Sequence, residues 1–79
     1  LGGKNHDVYF LLGRALAKSG NLESAVEQFN TAIKLDPNRK DAHYQLALAL
    51  KRLGREKEAE AEFKIVEELN KKFRTGMST

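Results

Sequence analysis

Apolar residues along this chain return every three or four positions, pause, and return again. Val8, Leu11, Leu12, Ala15 and Leu16 fall on one helical face, and Leu22, Ala25, Val26, Phe29, Ala32 and Ile33 do so in a second stretch. This spacing predicts amphipathic helices, because a turn of about 3.6 residues stacks such positions above one another. No stretch alternates apolar and polar residues through enough β-branched or aromatic positions to make a strand. Gly20, Pro37 and Gly54 punctuate the pattern and leave four segments of helical length joined by short turns. Asp36-Pro37 ends the second segment, since proline disfavours helical geometry at the residue before it. Gly20 and Gly54 each follow a last turn carrying Lys18, or Lys51 and Arg52, which predicts a left-handed glycine cap at both. Asn21 and Glu23, then Asn38 and Asp41, supply acceptors and carboxylates where helix starts favour them. The fourth segment meets no proline, so its helix is expected to run past Asn70 and to fade only near Thr75 and Gly76.

Shifting the chain by 34 residues lays Asp7 on Asp41, Leu12 on Leu46, Ala15 on Ala49 and Leu16 on Leu50. It also lays Gly20 on Gly54, Ala25 on Ala59, Phe29 on Phe63 and Leu35 on Leu69. The first copy holds Tyr9, Leu12, Gly13, Leu16, Ala25, Phe29 and Pro37, and the second His43, Leu46, Ala47, Leu50, Ala59 and Phe63, with Lys71 in place of proline. In these residues the chain resembles the tetratricopeptide repeat family over His6 to Phe73. The resemblance implies an all-α fold, a solenoid of two stacked antiparallel helix hairpins with the last helix extended. The expected organisation is an unstructured start over 1–5, repeats over 6–39 and 40–73, and a flexible tail over 74–79. Small residues at Gly13, Ala15, Ala25, Ala47, Ala49 and Ala59 fit close helix packing, with Phe29 and Phe63 filling the space beside them.

Chemistry is sparse. There is no cysteine, and His6 and His43 stand far apart without metal-ligand spacing, so neither a metal, a cofactor nor catalysis is expected. His43 takes the place of Tyr9 on the apolar side of its helix and reads as a packed ring. Gly2, Gly3 and Lys4 lack the spacing of a phosphate-binding loop. The longest apolar run, Leu46 to Leu50, is far short of the roughly 20 residues that span a membrane. With no secretion signal in view, the cytoplasm is the expected compartment.

Charge then becomes the informative property. The net charge is +3, yet Asn21–Asp36 and Arg55–Asn70 together hold nine acids and four basic residues, against totals of 11 and 14. The first and third helices are therefore basic, and in tetratricopeptide repeats those are the helices that line a concave peptide-binding groove. The resemblance places Asp7, Phe10, Arg14, Lys18, Asn38, Arg39, Asp41, Tyr44, Leu48, Lys51 and Arg52 there, with Phe10 and Tyr44 expected as exposed aromatics. Spacing agrees, since Phe10, Arg14 and Ala17 form one helical stripe and Tyr44, Leu48 and Lys51 another. An acidic peptide suits such a groove, and single-stranded nucleic acid stacking on the two rings is the alternative. Where some family members clamp a partner's terminal carboxylate, this chain has Phe10, Arg14 and Leu48, which disfavours that mode.

The two copies also differ in a directed way. Leu22, Val26 and Ile33 become Glu56, Glu60 and Glu67, as suits a terminal repeat facing water. Ser19, Thr31 and Arg39 become Leu53, Ile65 and Phe73, which with Leu69 predict an apolar strip for self-association as a homodimer or higher assembly.

Overall fold

The computed structural model describes the backbone of residues 6–78 and the side chains of residues 7–71. Four helices follow one another: α1 (His6–Lys18), α2 (Leu22–Leu35), α3 (Lys40–Arg52) and α4 (Glu56–Ser78), with no strand among the described residues. α1 pairs with α2 and α3 with α4, and α2 stacks on α3 to join the hairpins. The backbone of α4 is helical through Ser78, beyond Asn70 and Lys71 as expected and also beyond Thr75 and Gly76, where the sequence predicts the helix to fade. Segment 1–5, with its glycines and lysine, lies outside the described residues.

Both glycine turns close as expected. Gly20 and Gly54 have φ of 92° and 82°, a region that side chains with a Cβ rarely enter. Asn21 N–H donates to Leu16 O at 2.8 Å and Gly20 N–H to Ala17 O at 3.1 Å, and Arg55 and Gly54 repeat the arrangement on Leu50 and Lys51. Each pair is a Schellman closure that satisfies carbonyls at the ends of α1 and α3. The helix starts differ from expectation. Asn21 makes no side-chain cap, and its amide donates instead to Ser19 Oγ at 3.1 Å. Arg39, and not Asn38, holds the cap position of α3, while Asn38 N–H donates to Asp36 Oδ1 at 3.3 Å in a local turn.

The core runs between the hairpins through Phe29, Ala32, Ala42, Leu46, Ala49 and Leu50. α3 is buried on two sides because α2 and α4 flank it, which is why Ala42, His43, Leu46 and Ala47 are all buried. Phe29 is fully buried and its ring lies directly against Gly13, where an added Cβ would come within 2.6 Å of the ring. Glycine there sets how closely α1 approaches α2.

The face that α1 buries is not the predicted one. Val8, Leu11 and Leu12 are 61%, 59% and 45% exposed, and Ala15 is exposed too. α1 instead turns Phe10 and Gly13 fully inward, with Tyr9, Leu16 and Ala17 partly buried. α2 and the start of α3 both lie on that side of α1, so the richer apolar stripe is left facing away from them.

Candidate binding groove

α1 and α3 run side by side, and the eleven residues expected to line their groove separate into distinct environments. Near the helix starts, Arg39 reaches back from the cap of α3 to α1. Its Nε donates to Asp41 Oδ1 at 2.9 Å, its Nη1 donates to Asp7 Oδ1, and its guanidinium lies 4.2 Å from the centroid of the Phe10 ring. Burial opposes the charge on Arg39, but hydrogen bonds and attraction from Asp41 and Asp7 outweigh it and raise the pKa further. The cation is thus held in place by two acids and a ring.

This geometry corrects the reading of Phe10 as an exposed aromatic. Phe10 is 6% exposed, packed on Phe29 with ring centroids 5.9 Å apart and roofed by Arg39. It is unavailable for stacking on a base, which takes one of the two rings from the nucleic-acid reading. Tyr44 is 45% exposed and opens onto a different hollow, of about 880 Å³, shared with Phe63, Ala61 and Val66 and rimmed by Lys57, Glu60, Lys64 and Glu67. Asn38 stays in the exposed turn between the hairpins.

Near the helix ends the groove changes sign. Arg14 and Lys18 of α1 meet Lys51 and Arg52 of α3 around a pocket of about 320 Å³, floored by Ala17, Leu48 and Ala49 with Gln45 beside them. No carboxylate lines it, and none of its four cations has an ion pair among the described residues. Arg52 donates one hydrogen bond, to Ala17 O at 3.4 Å. Basic residues in a last helical turn complement the helix dipole locally. Here two such turns lie together, so their charges converge on one concavity. Sequence reading missed Gln45 and Ala49, although the 45, 48, 52 spacing places Gln45 on the stripe of Leu48 and Arg52.

His43 belongs to none of these surfaces. It is buried, with Nε2 2.8 Å from Pro37 O and Nδ1 2.6 Å from Glu62 Oε1. Because a carbonyl only accepts, Nε2 carries a hydrogen and donates it. The ring ties α3 to α4 and to the turn after α2. Of the expected self-association strip, Leu53 packs partly buried on the core, Leu69 is half-buried and Ile65 is 36% exposed. The side chain of Phe73 lies outside the described residues.

Solved MamA structures share this helical architecture. An uncharacterized protein of Methanocaldococcus jannaschii, MJ0572, is 43% identical over 56 residues, covering 71% of this chain and 65% of its own length. MamA AMB-1 superposes with a TM-score of 0.84 at 34% identity, over 89% of this chain and 38% of that one. A point mutant of MamA gives a TM-score of 0.81 at 36% identity, over 84% and 48%. The chain therefore spans about two thirds of MJ0572 and less than half of each MamA structure. No helix among the described residues is long and apolar enough to cross a membrane. Residues 13–54 match the family described as TPR repeat and residues 40–73 the one described as tetratricopeptide repeat, so this chain belongs to the tetratricopeptide repeat family.

Proposed function

We propose that this two-repeat chain is a protein-interaction scaffold that seats an acidic peptide segment at the α1/α3 helix ends. Members of the family are generally non-catalytic scaffolds, which supports the coarse part of this reading. The finer part rests on one observation, the four cations around a pocket without a carboxylate. Arg39 is not part of the binding charge, because Asp7 and Asp41 already engage it. The acidic part of a partner is accordingly drawn to Arg14, Lys18, Lys51 and Arg52, and its remaining length lies toward Leu48. The same reading includes self-association, because apolar side chains of α1 and α4 stand in solvent.

Fluorescence anisotropy with a labelled Glu-rich peptide and its Lys-rich counterpart tests the site. The Glu-rich peptide should bind more tightly, weaken as salt rises, and lose at least about tenfold in affinity with an Arg14→Ala, Lys51→Ala pair, each charged contact contributing on the order of 1 kcal/mol. Equal binding of the Lys-rich peptide, or indifference to the paired substitution, overturns it.

A further inference from the structure

We propose that the exposed face of α1 is the contact surface of a closed twofold homodimer, with α1 packed antiparallel on α1 of a second copy. The proposal rests on the self-association reading above and moves it from the α4 strip to the opposite end of the stack. Val8 and Leu11, at 61% and 59%, are the two most exposed large hydrophobic residues of the described chain, and with Leu12 at 45% and the exposed Ala15 they follow one another along a single side of two helical turns. Scattered apolar residues on a surface are ordinary, whereas a contiguous strip at helix-packing spacing is a contact surface.

The second repeat shows what this face does when it is covered. Ala42, Leu46 and Ala49, the counterparts of Val8, Leu12 and Ala15, are at most 2% exposed beneath α2. The counterpart of Leu11 is Gln45, which stays half-buried at the rim beside the basic pocket. α1 thus carries more apolar bulk than the face that an α2-type helix covers. Alanine becomes valine at one position, and a rim glutamine becomes leucine at another. The strip is widened toward the groove, beyond the width that a simple continuation of the stack seals in this molecule.

Head-to-tail stacking of copies is the first arrangement to consider, and the opposite end of the molecule opposes it. The positions that are Val26 and Ile33 on α2 are Glu60 and Glu67 on α4. Seating the α1 strip on α4 in the register that α3 takes on α2 would bury those carboxylates against Val8 and Leu12 with no cation from α1 to meet them. An open filament is disfavoured, and the strip finds its apolar complement in its own copy, which closes the assembly.

Charge selects the direction. Asp7, Leu11, Arg14 and Lys18 form one flank of α1, with the acid in the first turn and Lys18 in the last. Parallel packing would set Arg14 on Arg14 and Lys18 on Lys18. Antiparallel packing about an axis between Leu11 and Leu12 sets Val8 opposite Ala15 and brings Lys18 toward the outward side of Asp7, whose side chain is 72% exposed despite its bond to Arg39. It also opposes the two helix dipoles. The strip is small against the roughly 800 Å² per partner of a standard stable interface, so the dimer is a weak one that forms at high concentration.

Sedimentation velocity from about 10 μM to 1 mM compares the wild type with Leu12→Lys and Ile65→Lys, with circular dichroism of each confirming an intact fold, since both sites are exposed. The expected result is a concentration-dependent dimer that Leu12→Lys weakens at least tenfold and Ile65→Lys leaves unchanged. The reverse pattern keeps self-association but overturns this surface. A wild type monomeric throughout removes self-association itself. Because the chain has no cysteine, single cysteines report the register by mild oxidation. Leu12→Cys should cross-link to itself, and Val8→Cys should cross-link to an added Ala15→Cys chain but not to itself. Self-linking of Val8→Cys means parallel helices and overturns the proposal.

Discussion

The two hairpins carry the same aromatic pair at the same separation, 5.9 Å between ring centroids for Phe10–Phe29 and for Tyr44–Phe63. Their surroundings differ. Phe10 is 6% exposed and Phe29 fully buried, whereas Tyr44 is 45% exposed and Phe63 half-buried. The first pair is roofed by Arg39 and flanked by α3, and the second opens onto the hollow rimmed by Lys57, Glu60, Lys64 and Glu67. Burial in a stacked repeat therefore belongs to the neighbouring repeat as much as to the residue. The same rule explains the other end, where α1 shows water the positions that α3 hides.

Truncating the more buried ring of each pair is the strongest way to break this contrast. Phe29→Ala should lose about 3–5 kcal/mol in urea unfolding, the cost of a large side chain removed from a closed core. Phe63→Ala should lose roughly half of that, because part of its ring is already solvated. Equal losses would mean that the second pair is as well covered in solution as the first.

A smaller effect is expected at the polar contact that only the second hairpin has. Glu62→Ala strips buried His43 Nδ1 of its partner and should cost about 1–3 kcal/mol. Its counterpart Gln28 supports no buried ring, so Gln28→Ala should stay within about 0.5 kcal/mol by the same measurement. A large loss at Gln28 would erase the distinction.

The smallest difference concerns the starts of α2 and α4. Arg55 donates from Nε and Nη2 to Glu58 at 2.9 Å, whereas the corresponding residues of the first repeat are Asn21 and Ser24. The hydrogen bond from Arg55 holds the Glu58 carboxyl below its ordinary range, with slight burial opposing and the Arg55 charge adding to the effect. A carboxyl lowered on folding stabilises fully above its unfolded pKa and loses that contribution as pH falls through the lowered value. An NMR acid titration should therefore show the start of α4 loosening before that of α2, modestly because both partners are exposed. Glu58→Gln should abolish the difference between the two starts.

The repeat, the four helices and both left-handed turns were legible because each rests on residues close in sequence or on a fixed period. Gly20 and Gly54 declare their turns by type and place. The face that α1 buries was not legible, because α1 carries two apolar sides and local spacing ranks Val8, Leu11 and Leu12 above Phe10 and Gly13. Only the position of α2 and α3 decides between them. Arg39 likewise read as a groove cation, since its bond to Asp7 spans 32 residues. Sequence reading puts Arg14, Lys18, Lys51 and Arg52 in one basic groove, but the restriction of that charge to one end depends on Asp7 and Asp41 neutralising Arg39 at the other.

His43 has a consequence for how the molecule comes apart. In repeat arrays each unit is held by its own stability and by the interface with its neighbour, so terminal units can fray before the rest. Here a single imidazole grips the carbonyl of Pro37 in the linker and the carboxylate of Glu62 in the final helix. α3 cannot separate from α4 without also disturbing the joint at Pro37 that leads from the first hairpin. In so short a chain that shared anchor adds to the apolar packing of α2 on α3 in coupling the two repeats into one unfolding unit.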